Sequence, residues 1–411
     1  MSLYKKPEQS KWDAFKQKAM AFTPLEHPSF DTKAIHSFQE PEPIFGSVNI
    51  PIHYTSTYAQ TYPGKPFNDF DYSRGGNPTV NGMTQVLADL EYGKYGVAFS
   101  SGCAAINAVI GMLASGDHVI CGDDVYGGTN RLLNRNYSKF GLEISMIDLT
   151  PENLKAAMKE NTKLLVFESP TNPTLKILDI EGLCEVARSK GVITLVDNTF
   201  ATPYLQSPLL LGADLVIHSA TKYLGGHSDV LAGLIATNSK PLYEKVHYNL
   251  LSQGACLSPM DAFVLNRSLK TLRVRMREHC NNARVIAYYL EKHPQVKSVN
   301  YPGLPSHPNH EIAKKQMRDF GAVMSFVLDG NESDVVLFMQ SVKIFLLAES
   351  LGGVESLIEA PALMTHLSVP PTQREELGIK TTMVRLSVGI EDINDLLDDL
   401  ENAFQKVKAH K

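Results

Sequence analysis

The chain has 411 residues, of which 43% are hydrophobic and 20% charged, with a formal net charge of −5. That length exceeds one compact core and predicts two domains, while the composition excludes a largely disordered chain. The mild acidity, with no basic run and no interleaving of basic and aromatic residues, counts against nucleic acid or an anionic membrane as partner. Residues 1–70, rich in proline and aromatics and interrupted by Pro41, Pro43, Pro51 and the Pro63-Gly64 pair, show no long period. They are expected to form an extended arm laid against a neighbouring subunit, because such a segment cannot bury its own tyrosines and isoleucines. Residues 71–270 alternate helical patterns with short apolar runs at 96–99, 118–121, 144–147, 164–167, 193–196, 215–217 and 231–235. This alternation predicts an α/β domain with a mainly parallel sheet wrapped by helices. Residues 271–411 open on a helical stretch at 274–291, continue with strand candidates at 296–299, 322–327 and 383–387, and close on a helix from Ile393. They read as a smaller α+β C-terminal domain.

No apolar run approaches the ~20 residues that span a bilayer, and residues 1–10 lack the apolar centre of a signal peptide, so the cytosol is the expected compartment. The five cysteines lie scattered without a CxxC pair, and the thirteen histidines show no HExxH or metal-like spacing. Neither a disulfide framework nor a metal is expected.

The chemistry concentrates at the ends of the apolar runs. Leu215-Val-Ile217 leads through Ser219 and Thr221 to Lys222, at the inner end of a strand that should be covered on both faces. Lysines near strand ends commonly snorkel to the surface. A half-dry amine, however, loses solvation, favours its neutral form and becomes a nucleophile toward an aldehyde. Ile193-Thr-Leu-Val196 delivers Asp197 to the same edge, where open α/β sheets bind ligands. A carboxylate and a lysine arriving from two strands match the partners of pyridoxal phosphate, the acid holding a pyridinium nitrogen and the amine forming a Schiff base. Ser100-Ser-Gly-Cys-Ala-Ala-Ile106 opens a helix whose N-terminus suits a phosphate, though an ordinary tight turn reads the same way. Tyr126, on a glycine-flanked loop, is placed to stack on an aromatic cofactor and move a proton, and Arg131 to lower its pKa. Asn172, between Pro170 and Pro173, is an amide aimed by restricted turns. Arg385 is a charge in an alternating strand, a planar fork suited to an α-carboxylate.

Five ordered segments carry a likeness: Asp71-Tyr-Ser-Arg-Gly-Gly-Asn-Pro-Thr79, Glu168-Ser-Pro-Thr-Asn-Pro-Thr174, Val196-Asp-Asn-Thr-Phe200, Ser219-Ala-Thr-Lys-Tyr223 with Gly226-His-Ser-Asp229, and Ala348-Glu-Ser-Leu-Gly-Gly353. From about Thr32 to the last helix the chain resembles the Cys/Met-metabolism family of pyridoxal-phosphate enzymes. The resemblance implies the PLP-dependent transferase fold of type I, aspartate-aminotransferase-like, in a homotetramer of two active dimers. It implies Lys222 as the cofactor lysine, Asp197 as the pyridine partner and Tyr126 as the stacked ring. Gly102, Cys103, Ser219 and Thr221 would hold the phosphate, with Tyr72 and Arg74 reaching in from the neighbouring subunit. Asn172, Ser350 and Arg385 would hold the substrate carboxylate, and Glu349 would lie near the distal end of the substrate, with Arg131 also on the substrate's side.

Gly75 stands where the family usually has serine, and Cys103 where it has leucine or methionine. The cysteine raises an expectation of oxidation sensitivity, resting on its exposure. Gly128 stands where methionine-cleaving members usually carry cysteine, and Phe200 where bacterial β-cleaving members carry tryptophan. These marks favour γ-elimination from a sulfur amino acid, with γ-replacement on an activated homoserine ester as the close rival. A non-catalytic binder of the same cofactor is the reading from another class. Glu349, Ile358 and Ala360 are expected to shape the distal pocket.

Overall fold

The computed structural model describes residues 28–367 and 371–410. The expectation about residues 1–10, and the arm over residues 1–27, lie outside the described residues. Seven strands form the larger sheet: β1 (Tyr95–Phe99), β2 (His118–Gly122), β3 (Glu143–Ile147), β4 (Thr162–Glu168), β5 (Ile193–Asp197), β6 (Leu215–Ser219) and β7 (Gly233–Thr237). Their order is β1-β7-β6-β5-β4-β2-β3. All neighbours are parallel except β7, which runs antiparallel to both β1 and β6. The inner strands are buried on both faces because separate apolar clusters cover each side, one built on Ala105, Val109 and Leu164, the other on Leu165, Ile180 and Val196.

The strand expected at 231–235 begins two residues later. Leu231 is 67% exposed and lies on the rim of a cavity, whereas Gly233 starts the ladder. Only glycine fits there, since a Cβ on Gly233 would sit 2.1 Å from Ser101 O.

Helix α1 (Pro78–Leu90) is capped by Asn77, and α2 (Gly102–Ile110) by Ser101, whose Oγ accepts from Ala104 N at 3.1 Å. A five-residue helix, α3 (Gly127–Arg131), follows β2. The smaller sheet contains β8 (Val296–Asn300), β9 (Val323–Leu328), β10 (Leu346–Leu347), β11 (Leu357–Glu359) and β12 (Met383–Ser387), in the order β8-β9-β12-β11-β10. Flanking it are α4 (Leu272–Lys292) and α5 (Ile393–His410), whose apolar faces join one core with β9 and β12. The alternation expected for β12 is absent, all five residues being buried. As an inner strand it packs Val384 and Leu386 into the core while Arg385 faces a cavity.

The described part of the arm carries one short helix, Phe30–His36, that the sequence pattern did not announce. It is tied to α1 by Lys33 Nζ, which donates to Asp89 at 2.8 Å. Beyond it Ile44, Val48, Tyr54 and Phe67 are each more than half exposed. Among the described residues no helix is long and apolar enough to cross a membrane, and no group of three or more His, Cys, Asp or Glu could hold a metal ion.

Candidate active site

The ends of β4, β5 and β6 bring Glu168, Asp197 and Ser219 to one edge, where the N-terminus of α2 and the smaller sheet close over a cavity of about 210 Å³. Gly102, Cys103, Tyr126, Asn172, Thr221, Lys222, Glu349, Ser350 and Arg385 line it with Asp197 and Ser219. A second chamber of about 390 Å³ shares Tyr126, Glu349 and Thr365 with the first and adds Arg131. The groups predicted to bind or act on cofactor and substrate therefore converge, except Tyr72 and Arg74. Those two do not line the cavity within this chain; Arg74 lies over the Tyr72 ring at 5.5 Å and donates to Leu251 O at 2.6 Å.

Lys222 follows β6 into the cavity and donates from Nζ to Ser350 Oγ at 2.6 Å. Burial, then the Arg385 charge, pushes its pKa down to about 8. Asp197 is held on one oxygen: Oδ1 accepts from Thr199 N at 2.9 Å and Thr199 Oγ1 at 2.5 Å. Burial pushes this carboxyl up, and the Thr199 bonds oppose the shift. Glu168 pairs in register with Asp197 across β4 and β5. Burial and then the Asp197 charge hold Glu168 well above the ordinary carboxylate range.

Glu168 Oε1 accepts from Tyr126 N at 2.5 Å and so anchors the loop that carries the ring. The Tyr126 hydroxyl is pushed up, chiefly by burial, with Arg131 opposing. The expected lowering by Arg131 is thus present but outweighed, and the phenol holds its proton. A Cβ on Gly128 would meet Tyr126 Cε1 at 2.3 Å and Cys103 Sγ at 2.8 Å. The missing side chain at 128 makes room for both the ring and the thiol. Cys103 itself is half-buried on the cavity wall, and burial pushes its thiol up, which disfavours the thiolate that oxidation uses.

On the opposite wall Arg385 is buried and donates from Nη1 to Asn172 Oδ1 at 3.0 Å and from Nη2 to Ser350 O at 2.6 Å. It also pairs with Glu359 at 2.9 Å. Ser350 adopts φ 96°, a region that favours glycine, and is held there by both Lys222 and Arg385. Glu359 was given no role by sequence reasoning; its signal is a lone carboxylate inside Leu357-Ile-Glu-Ala360. Thr199 and Glu168 were likewise given no role by sequence reasoning. The expectation for Ile358 and Ala360 fails: both are fully buried in the core and line neither chamber. Successive side chains of a strand point to opposite faces, so Glu359, between them, is the one that turns toward Arg385.

These residues suit pyridoxal phosphate. A Cβ on Gly102 would meet Ser219 Cβ at 3.1 Å and Oγ at 3.3 Å, so a bare backbone keeps open the space between a helix N-terminus and a hydroxyl that a phosphate needs. A cation placed against Asp197 would relieve its burial penalty, as a protonated ring nitrogen does.

Comparison with known proteins agrees with this geometry. The model of the family described as Cys/Met metabolism PLP-dependent enzyme matches residues 31–405. A cystathionine β-lyase of Lactococcus lactis is 52% identical over 379 residues, covering 92% of this chain and 99% of that protein. A cystathionine γ-lyase of Dictyostelium discoideum is 49% identical over 376 residues, covering 91% and 97%. The crystal structure of cystathionine γ-lyase from Lactobacillus plantarum complexed with L-serine superposes with a TM-score of 0.90 at 44% identity, covering 93% of this chain and all of that one. The chain belongs to the Cys/Met metabolism family of PLP-dependent enzymes, with the type I fold of that family and pyridoxal 5′-phosphate as its cofactor.

Proposed function

We propose that the protein is a carbon–sulfur lyase that cleaves L-cystathionine at the γ-carbon, giving cysteine, 2-oxobutyrate and ammonia, and that releases hydrogen sulfide when cysteine or homocysteine takes the same place. The observation that carries this reading is the outer chamber beside Tyr126, flanked by Arg131 and Glu349. A basic and an acidic side chain there suit a substrate whose far end is itself an amino acid, with Arg131 facing its carboxylate and Glu349 its ammonium. Methionine offers neither group.

In this reading Gly102, Cys103, Ser219 and Thr221 hold the cofactor phosphate, and Tyr72 and Arg74 reach it from a neighbouring subunit within a homotetramer. Asp197 keeps the ring nitrogen protonated, Tyr126 stacks on the ring and Asn172 bonds it. Bound there, pyridoxal phosphate supplies an electron sink for charge developing at the substrate's α-carbon. Arg385, Asn172 and Ser350 fix the substrate's α-carboxylate. Lys222, whose amine is neutral above a pKa of about 8, takes the α-proton, gives it up again and, once more neutral, takes a β-proton. Tyr126, which keeps its proton, delivers it to the departing sulfur. The exposed apolar side chains of residues 44–67 support an arm that packs on a second copy.

The 52% identity to a β-lyase favours one rival, cleavage on the other side of the sulfur. Incubating the holoenzyme with L-cystathionine and identifying the keto acid decides between them. 2-Oxobutyrate with cysteine is expected; pyruvate with homocysteine would replace γ- by β-elimination.

A further inference from the structure

Glu359 and Arg385 face each other in register on β11 and β12 and pair at 2.9 Å, with side chains 1% and 3% exposed. A guanidinium offers five N–H donors. Here Nη1 serves Glu359 and Asn172, and Nη2 serves Ser350 O, while the buried Nε has no partner. Glu359 Oε2 is equally buried and equally without a partner, its Oε1 accepting from Thr365 Oγ1 at 3.0 Å as well as from Arg385. The arginine that should receive the substrate's carboxylate thus has donors to spare but no spare charge. A second carboxylate arriving at those donors leaves one buried negative charge uncompensated, which a low-dielectric site resists.

We infer that Glu359 takes up a proton from solvent when an amino acid's carboxylate docks on Arg385, making Glu359 the positioning residue that sets how substrate binding depends on pH. This rests on the reading of the cavity as an amino-acid site. The only atoms that move are one solvent proton, which ends on Glu359, and the ligand itself. The neighbours support that destination. Burial already lifts the Glu359 carboxyl, with Arg385 and Lys222 opposing and Glu349 adding to the shift. His366, which shares Thr365 with Glu359, is pushed down to about 4 by burial and then by Arg385 and Arg374, so it stays neutral and holds no proton to give.

The test uses the holoenzyme and L-2-aminobutyrate, an amino acid with no leaving group, titrated calorimetrically in buffers of different ionisation heat. Proton changes on the ligand amine and on Lys222 are common to wild type and Glu359→Gln, so the difference between the two belongs to Glu359. Wild type should take up about one proton more per site than the variant, and its affinity should fall relative to the variant by up to about tenfold per pH unit as pH rises. At high pH Glu359→Gln should bind at least as tightly as wild type. Glu359→Asp, which keeps a carboxyl, should restore the extra proton. Equal proton uptake in wild type and Glu359→Gln, or a variant weaker by one factor at every pH, would reduce Glu359 to a structural partner and overturn the inference. That result leaves the active-site reading standing, provided the amino acid shifts the holoenzyme's cofactor absorbance. No absorbance shift and no heat in wild type would remove both.

Discussion

Lys222 shows how far one side chain's environment determines its chemistry. Its ammonium sits against Ser350 Oγ, and burial with the Arg385 charge brings its pKa to about 8. The sign follows directly: below that value the protonated amine predominates and cannot attack an aldehyde, and above it the neutral nucleophile predominates. The rate at which the apo chain takes up pyridoxal phosphate should therefore climb with pH and level off above about 8, followed by cofactor absorbance from about pH 6 to about pH 10. A rate still climbing at the upper end would place Lys222 in an ordinary solvated setting and contradict its burial. Lys222 and Asp197 were legible in the sequence for one physical reason. A covered parallel strand is a plain apolar run, so a titratable residue at its inner end stands out.

Elements account for what was not legible. β11 has three residues, too few to display a period, and Glu359 is a functional neighbour only because β12 presents Arg385 opposite it. Thr199 and Glu168 likewise acquire meaning through strand ends that meet in space. A further clamp acts at this scale. Glu91, just past the end of α1, is fully buried and accepts from His218 Nε2 at 2.5 Å and from Asn198 Nδ2 at 2.9 Å. His218 precedes Ser219 on β6 and Asn198 follows Asp197 on β5, so one carboxylate ties together the two strand ends that shape the cavity. Replacing Glu91 with Leu takes the acceptor from His218 Nε2 and from one N–H of Asn198 Nδ2, whose other N–H stays on Gln206 O, at about 1–3 kcal/mol for each lost bond. Thermal melting should show that loss in both apo and holo protein, with Glu91→Gln, which keeps an acceptor oxygen, losing less. A Leu variant as stable as wild type would mean that the pair does not clamp the strands.

At the scale of the whole molecule, one apolar core runs from Ala34 beside α1 through the smaller sheet to Val407 on α5, so both walls of the cavity are anchored in a common interior. What this chain does not bring to its own cavity is Tyr72 and Arg74, and the segment that carries them follows the exposed apolar arm. Only the family resemblance pointed to these two residues; a contact made across two chains would leave no pattern within one. If they complete the site of a neighbour, a subunit with Lys222→Ala and a subunit with Arg74→Ala are each inactive alone but carry complementary halves of one site. A mixed dimer then holds one intact site, made of Lys222 from the second subunit and Arg74 from the first. Random assortment of equal amounts, after dissociation and reassembly, should recover about a quarter of wild-type activity per subunit. Activity no higher than the sum of the separate variants, with hybrids demonstrated by mass, would show that Arg74 acts within its own chain. The arm would then need another partner for its exposed face.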